Sequence, residues 1–160
     1  MKTLFAVLLA AVLVHNAPAN AAPPKASPLI GAWAVDSSRL PMPPEARPKG
    51  VTITFADAGK GKWSTKVEIV DGSGGKSHAE SIVPLDGTPM PVQGSTETDI
   101  AAAKMPAPNV LVMQLGKNGH PASTRIYAVA ADGKTMVETA AYFAQDGKPI
   151  LRTNYFTRIR

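Results

Sequence analysis

The chain has 160 residues, with 17 Lys and Arg against 12 Asp and Glu and no cysteine. That length suits one domain, and without cysteine there is neither disulfide stapling nor lipid attachment at a thiol, so the core must hold the fold alone. The net charge of +5 comes from scattered bases with few aromatics between them, which argues against a nucleic-acid face and supports only mild attraction to anions.

Met1-Lys2, the apolar run Leu4–Val14 and the small residues Ala19-Asn20-Ala21 read as a signal peptide, residues 1–21. The start is basic, the apolar stretch is too short to span a bilayer, and Ala-x-Ala is a cleavage site. Cleavage would leave Ala22 first and a soluble protein that is periplasmic or secreted. Residues 22–28, rich in Pro and Ala, read as a flexible lead, and the domain proper runs over 29–160.

Leu29–Asp36 is the first predicted strand and contains Gly31-Ala32-Trp33. Across 37–49, Pro41, Pro43, Pro44 and Pro48 exclude strand and helix alike, because each removes a donor and restricts its predecessor. Val51–Phe55 and Lys62–Asp71 alternate, joined by a turn at Asp57–Gly61. Trp63, Thr65, Val67 and Ile69 fall on one face, Lys62, Ser64, Lys66 and Glu68 on the other. A Gly-rich turn leads to a weaker strand, Ser77–Leu85, with Ala79, Ser81 and Val83 together. Asp86-Gly87 turns the chain and Pro91–Gly94 is a short extended piece. Ser95–Met105 reads as a strand in this context, with a short helix opened at Thr96 as the alternative. Val110–Leu115 follows.

The last forty residues hold three strands, Ala122–Ala130, Lys134–Ala144 and Lys148–Ile159. Two similar turns join them, Ala131-Asp132-Gly133-Lys134 and Gln145-Asp146-Gly147-Lys148. Asp-Gly between β-rich runs is a strong hairpin signal, and Gly133 and Gly147 supply the positive φ. Read as type I turns with a G1 bulge, they pair Ala130 with Lys134 and Ala144 with Lys148. Arg125, Tyr127 and Val129 then share a face with Val137, Thr139, Ala141, Phe143, Leu151, Thr153 and Tyr155. Met136, Glu138, Arg152, Asn154, Phe156 and Arg158 take the opposite face. A two-residue type I′ reading would set Arg125 and Tyr127 beside Met136 and Glu138, mixing the two classes. The bulged register is preferred for its cleaner division, with the Arg125 face inward. About eight or nine short strands joined by tight turns specify an all-β fold, a single antiparallel up-and-down barrel.

Leu29-Ile30-Gly31-Ala32-Trp33, the Pro-rich loop, Val51–Phe55, Pro91-Val92-Gln93-Gly94 and the two Asp-Gly turns resemble small exported bacterial lipocalin-like proteins. The resemblance covers essentially the whole chain after the signal peptide. It implies a meandering barrel whose interior can hold a small ligand, with Gly31 and Trp33 as structural residues. It also implies a last-strand arginine, here Arg158, packed over Trp33. The group has no established activity, so no catalytic residue is implied.

Arg125 is the most informative single residue. The preferred register places Thr139 and Thr153 beside it and Tyr127 and Tyr155 one row away, with no acid on that face. An unpaired inward charge needs an acid from a distant strand, open water or an anionic ligand. Arg with Tyr and Thr hydroxyls suits a carboxylate, so Arg125→Met is expected to abolish binding and leave the fold intact. His78 and His120 have no ligand spacing, which indicates no metal or other cofactor, and the serines lack a nucleophile elbow. The chain is read as a non-enzyme. Two functions follow: a module binding a small amphiphilic or anionic hydrophobic ligand, or an interaction protein of the cell envelope with a filled barrel. A membrane-spanning barrel is disfavoured because Arg152, Asn154, Arg158 and Arg160 would face outward.

Overall fold

The computed structural model describes residues 26–160; the expected signal peptide and residues 22–25 of the lead lie outside the described residues. Among the described residues ten strands form the fold: β1 (Gly31–Val35), β2 (Gly50–Gly59), β3 (Lys62–Val70), β4 (Lys76–Pro84), β5 (Met90–Gln93), β6 (Ile100–Ala107), β7 (Val110–Lys117), β8 (His120–Val129), β9 (Thr135–Phe143) and β10 (Pro149–Arg158). Each pairs antiparallel with the next, and β1 pairs with β10 to close an up-and-down barrel. The count exceeds the sequence expectation because short β5 pairs with both of its neighbours. Ser95–Met105 divides into a loop and a strand beginning at Ile100. Between β1 and β2 the proline-rich stretch contains two short 3₁₀ turns, Ser37–Arg39 and Pro44–Ala46, where no helix was expected. No helix among the described residues is long and apolar enough to cross a membrane.

The alternation read in β2, β3 and β4 sets the inner wall. Ile53, Phe55, Trp63, Thr65, Ser81 and Val83 are buried, while Lys62, Lys66, Glu68 and Glu80 are exposed outside. One end of the barrel is packed shut by Leu29, Trp33, Phe55, Trp63, Val83, Leu111, Val129 and Met136. Burial of each large side chain there stabilises by about 1.5–3 kcal/mol. Phe55 stands edge-on to Tyr127 at 5.2 Å and tilts against Trp63 at 6.4 Å. The Trp33 indole N–H donates to the Leu29 carbonyl at 2.8 Å, meeting the need of a buried tryptophan for an acceptor.

Arg158 closes this end. Its guanidinium lies 4.2 Å from the centroid of the Trp33 ring. It donates to the carbonyls of Ile30 at 2.8 Å, Gly133 at 2.7 Å and Pro28. Gly31 makes room for this arrangement: its φ is +137°, and a Cβ there would collide with the Arg158 guanidinium and the Arg160 carbonyl.

The meander register differs from the expected one at its first turn. Ala144 pairs with Lys148 as anticipated, with Gly147 at φ +80°. Ala130 instead pairs with Thr135, its amide donating to the Thr135 carbonyl at 2.9 Å, with Gly133 at φ +64°. The two turns diverge three residues after the aspartate. Thr135 donates its amide and hydroxyl to Asp132, each at 3.0 Å to one of the carboxylate oxygens. The equivalent residue after Asp146 is Pro149, which has no N–H to donate. The one-residue slip reverses every side chain of β9 and β10 relative to β8. Met136, Glu138, Ala140 and Phe156 are buried, whereas Phe143, Leu151 and Thr153 are exposed. Arg152, Asn154 and Arg158 therefore belong to the inner face. On the outer wall β3 and β4 carry exposed charges, Lys62, Lys66, Glu68 and Glu80.

Candidate functional site

The polar wall of the barrel interior is carried by β8, β9 and β10. Tyr127, Glu138 and Asn154 are cross-strand partners on one rung. Arg125, Ala140 and Arg152 share the adjacent rung, where the small Ala140 leaves space between two long cations. Arg125 Nη1 donates to Glu138 Oε1 at 2.9 Å and Nη2 to Glu97 Oε2 at 3.1 Å, with Nε 3.4 Å from Ser123 Oγ. The second Glu138 oxygen accepts from Asn154 Nδ2 at 2.7 Å. Asn154 Oδ1 is buried without a hydrogen-bond partner among the described residues.

Exposure separates the two acids. The Glu138 side chain is 2% exposed, Glu97 is 74% exposed, and Arg125 lies between them at 26%. Burial works against the Arg125 charge, but the Glu138 and Glu97 side chains outweigh it and hold the guanidinium above its ordinary pKa. Burial first, then the Glu138 charge, pushes the Tyr127 phenol well above its usual value. At neutral pH the Tyr127 phenol beside Arg125 is therefore uncharged.

Beside this wall lies a cavity of about 520 Å³, within the range of small-molecule sites. Val51, Ile53, Val67, Val92, Met113 and Phe156 give it a mainly aliphatic lining. It opens opposite the packed end, where Leu40 and Met42 of the proline-rich segment, the β3–β4 turn and the loop 94–99 form a rim. That loop is anchored by Thr98, whose buried hydroxyl lies 2.9 Å from the Ile100 carbonyl and 2.8 Å from that of Gly116.

The structure brings together Arg125 and Tyr127 but not the other three predicted ligand-binding residues. Thr139, Thr153 and Tyr155 are on the outer face, and Tyr155 is covered by Arg39 with its guanidinium carbon 3.3 Å from the ring centroid. In their place stand Glu138, Asn154 and Arg152, with Glu97 arriving from the β5–β6 loop. The signal for Glu138 was its position between Met136 and Ala140, two apolar residues on its own face. Among the described residues no group of His, Asp and Glu is placed to hold a metal ion.

The chain matches no model of a known protein family. No curated protein matches it either.

Proposed function

We propose that the chain is an exported lipocalin-like binding protein whose barrel takes a small amphiphilic molecule, its apolar part in the cavity and an acidic head at Arg125. The observation that carries this reading is the open-ended cavity of about 520 Å³, aliphatic on most sides, with a partly exposed guanidinium on its polar wall. An apolar pocket with a few convergent polar groups is the usual form of a small-molecule site. The Trp33–Arg158 stack beside Gly31 supports the lipocalin-like attribution, and residues 1–21 support export.

Two measurements test the reading. Protein exported by a bacterial host and extracted with organic solvent should release a stoichiometric amphiphile identifiable by mass spectrometry, and its first residue should be Ala22. A fluorescent fatty acid should bind saturably, one per chain, and be displaced by an unlabelled one. Absence of a co-purifying amphiphile together with absence of saturable binding would refute it.

The interaction-protein reading draws on a different observation. Phe143 and Leu151 are 73% and 76% exposed and lie diagonally across the β9–β10 pair, a surface suited to a partner on the outer wall. Replacing both by serine would abolish partner capture under that reading and leave fatty-acid binding untouched under the first.

A further inference from the structure

Resting on the binding reading above, we infer that Glu97 is an exchangeable stand-in for the ligand's acidic group. Its carboxylate holds the Nη2 position of Arg125, and an incoming monoanionic head displaces it. The two acids on Arg125 differ in kind. Glu138 is sealed in the wall, with one oxygen on Arg125 and the other on Asn154. Glu97 makes a single contact of 3.1 Å from an otherwise solvent-exposed side chain. Its backbone is held in place, since the Ser95 hydroxyl accepts from the Glu97 and Thr98 amides at 3.1 and 3.2 Å and Thr98 is pinned to Gly116. The side chain alone can swing into water with no rearrangement of the loop, and an exposed ion pair of this kind is weak.

The charge around the cavity agrees with a monoanion. With Glu97 turned out, Arg125 and Arg152 face Glu138, leaving one positive charge in surplus. Arg152 has no salt-bridge partner among the described residues; its guanidinium carbon lies 5.9 Å from the Tyr142 ring centroid. Of the other acids near the cavity, Asp71 is committed to its own turn through Ser73 and Gly75. Glu80 is exposed on the outer side of β4, opposite in register to the exposed Lys66. A carboxylate or a sulfonate on an apolar tail has the required chemistry, and Arg can take either through parallel hydrogen bonds.

The experiment titrates the full chain and its Glu97→Gln variant with a dansylated fatty acid and with the methyl ester of the same probe. Removing the competitor should tighten the acid by about two- to fivefold, the value of one exposed ion pair expressed as affinity, and leave the ester unchanged. A matching loss of acid binding in the double variant Arg125→Met/Glu138→Gln, which removes both halves of the buried pair, would confirm the cation as the anchor. If the acid binds wild type but Glu97→Gln leaves its affinity unchanged or lowers it, the stand-in role is wrong and the binding reading survives. If neither acid nor ester binds either protein, both fall.

Discussion

Tyr127 and Glu138 stand directly opposite each other on β8 and β9, an uncharged phenol and a carboxylate on a single buried rung. The carboxylate is tolerated there because Arg125 reaches it from the next rung at 2.9 Å and Asn154 holds its other oxygen at 2.7 Å. A buried charge without such partners would cost several kcal/mol.

Arg125→Met therefore does more than remove a ligand contact. The expectation that it leaves the fold intact rested on an arginine with no acid beside it; Glu138 is that acid, and the substitution strands it at 2% exposure. The loss should be about 3–5 kcal/mol, the cost of breaking one side of a buried pair. Arg125→Met/Glu138→Leu should recover most of it, since apolar replacement of a whole pair is often neutral. Denaturant midpoints of the single and double variants decide the matter, and equal stability of Arg125→Met and wild type would remove the pair from the account.

The register of β9 makes a separate prediction. Met136→Ala should cost about 2–4 kcal/mol for a buried side chain, while Phe143→Ser, on the exposed face, should stay within about 0.5 kcal/mol of wild type. The reverse ranking in thermal or denaturant unfolding would restore the bulged reading of the Asp132-Gly133 turn.

Two glycines differ in what their replacement meets. Gly133→Val places its Cβ in open space and suffers only the strained φ of +64°, about 1–2 kcal/mol. Gly31→Ala combines a φ of +137° with a collision against Arg158 and the Arg160 carbonyl, and should cost about 2–4 kcal/mol. It should also release the stack on Trp33, visible as a change in tryptophan fluorescence that Gly133→Val does not produce.

Stability should fall at both extremes of pH. Asp36, Asp71, Asp86, Asp132 and Asp146 each have a pKa lowered by hydrogen bonds within or beside their own turns, led in Asp132 by the Lys134 and Thr135 amides. The unfolded chain then binds more protons in acid. The stabilisation is present above the ordinary aspartate pKa, about 3.9, and is lost as pH falls through the lowered values. All five are fully exposed, so each loss is small, and Asp132→Ala should flatten the acid limb slightly. Tyr127 acts at the other end: its raised pKa means the unfolded chain ionises first, so stability drops as pH rises past about 10. Tyr127→Phe should soften that drop, as measured by denaturation midpoints from pH 8 to 11.

The faces of β2, β3 and β4 were legible because Trp63, Thr65 and Val67 obey strict alternation against Lys62, Ser64 and Lys66. The meander was harder, because its interior breaks the rule that reads interiors. Dividing apolar from charged residues expelled Glu138, Asn154 and Arg152 together with Met136 and Phe156, although the inward place of the first two depends on a hydrogen bond between them that no single strand displays. The discriminating signal was chemical: Thr135 can bond to Asp132, and Pro149 cannot bond to Asp146. Glu97 was illegible for another reason, since its contact with Arg125 spans 28 residues and depends on a loop whose course Thr98 sets through Gly116.

Arg158 gathers carbonyls from Pro28, Ile30 and Gly133, so one side chain near the C-terminus fastens the first strand, the last strand and a turn between them. Closure thus requires β10, the last strand in chain order. Until β10 is available, a growing or partly threaded chain is an open sheet with β1 and β9 as bare edges, which is the form most prone to pair with a neighbour. The latch also engages residues up to 130 positions apart, and such distant contacts make folding slow. A chaperone that shields those two edges, or a truncation that stops short of Arg158, would therefore govern how much protein reaches the closed form, quite apart from how stable that form is.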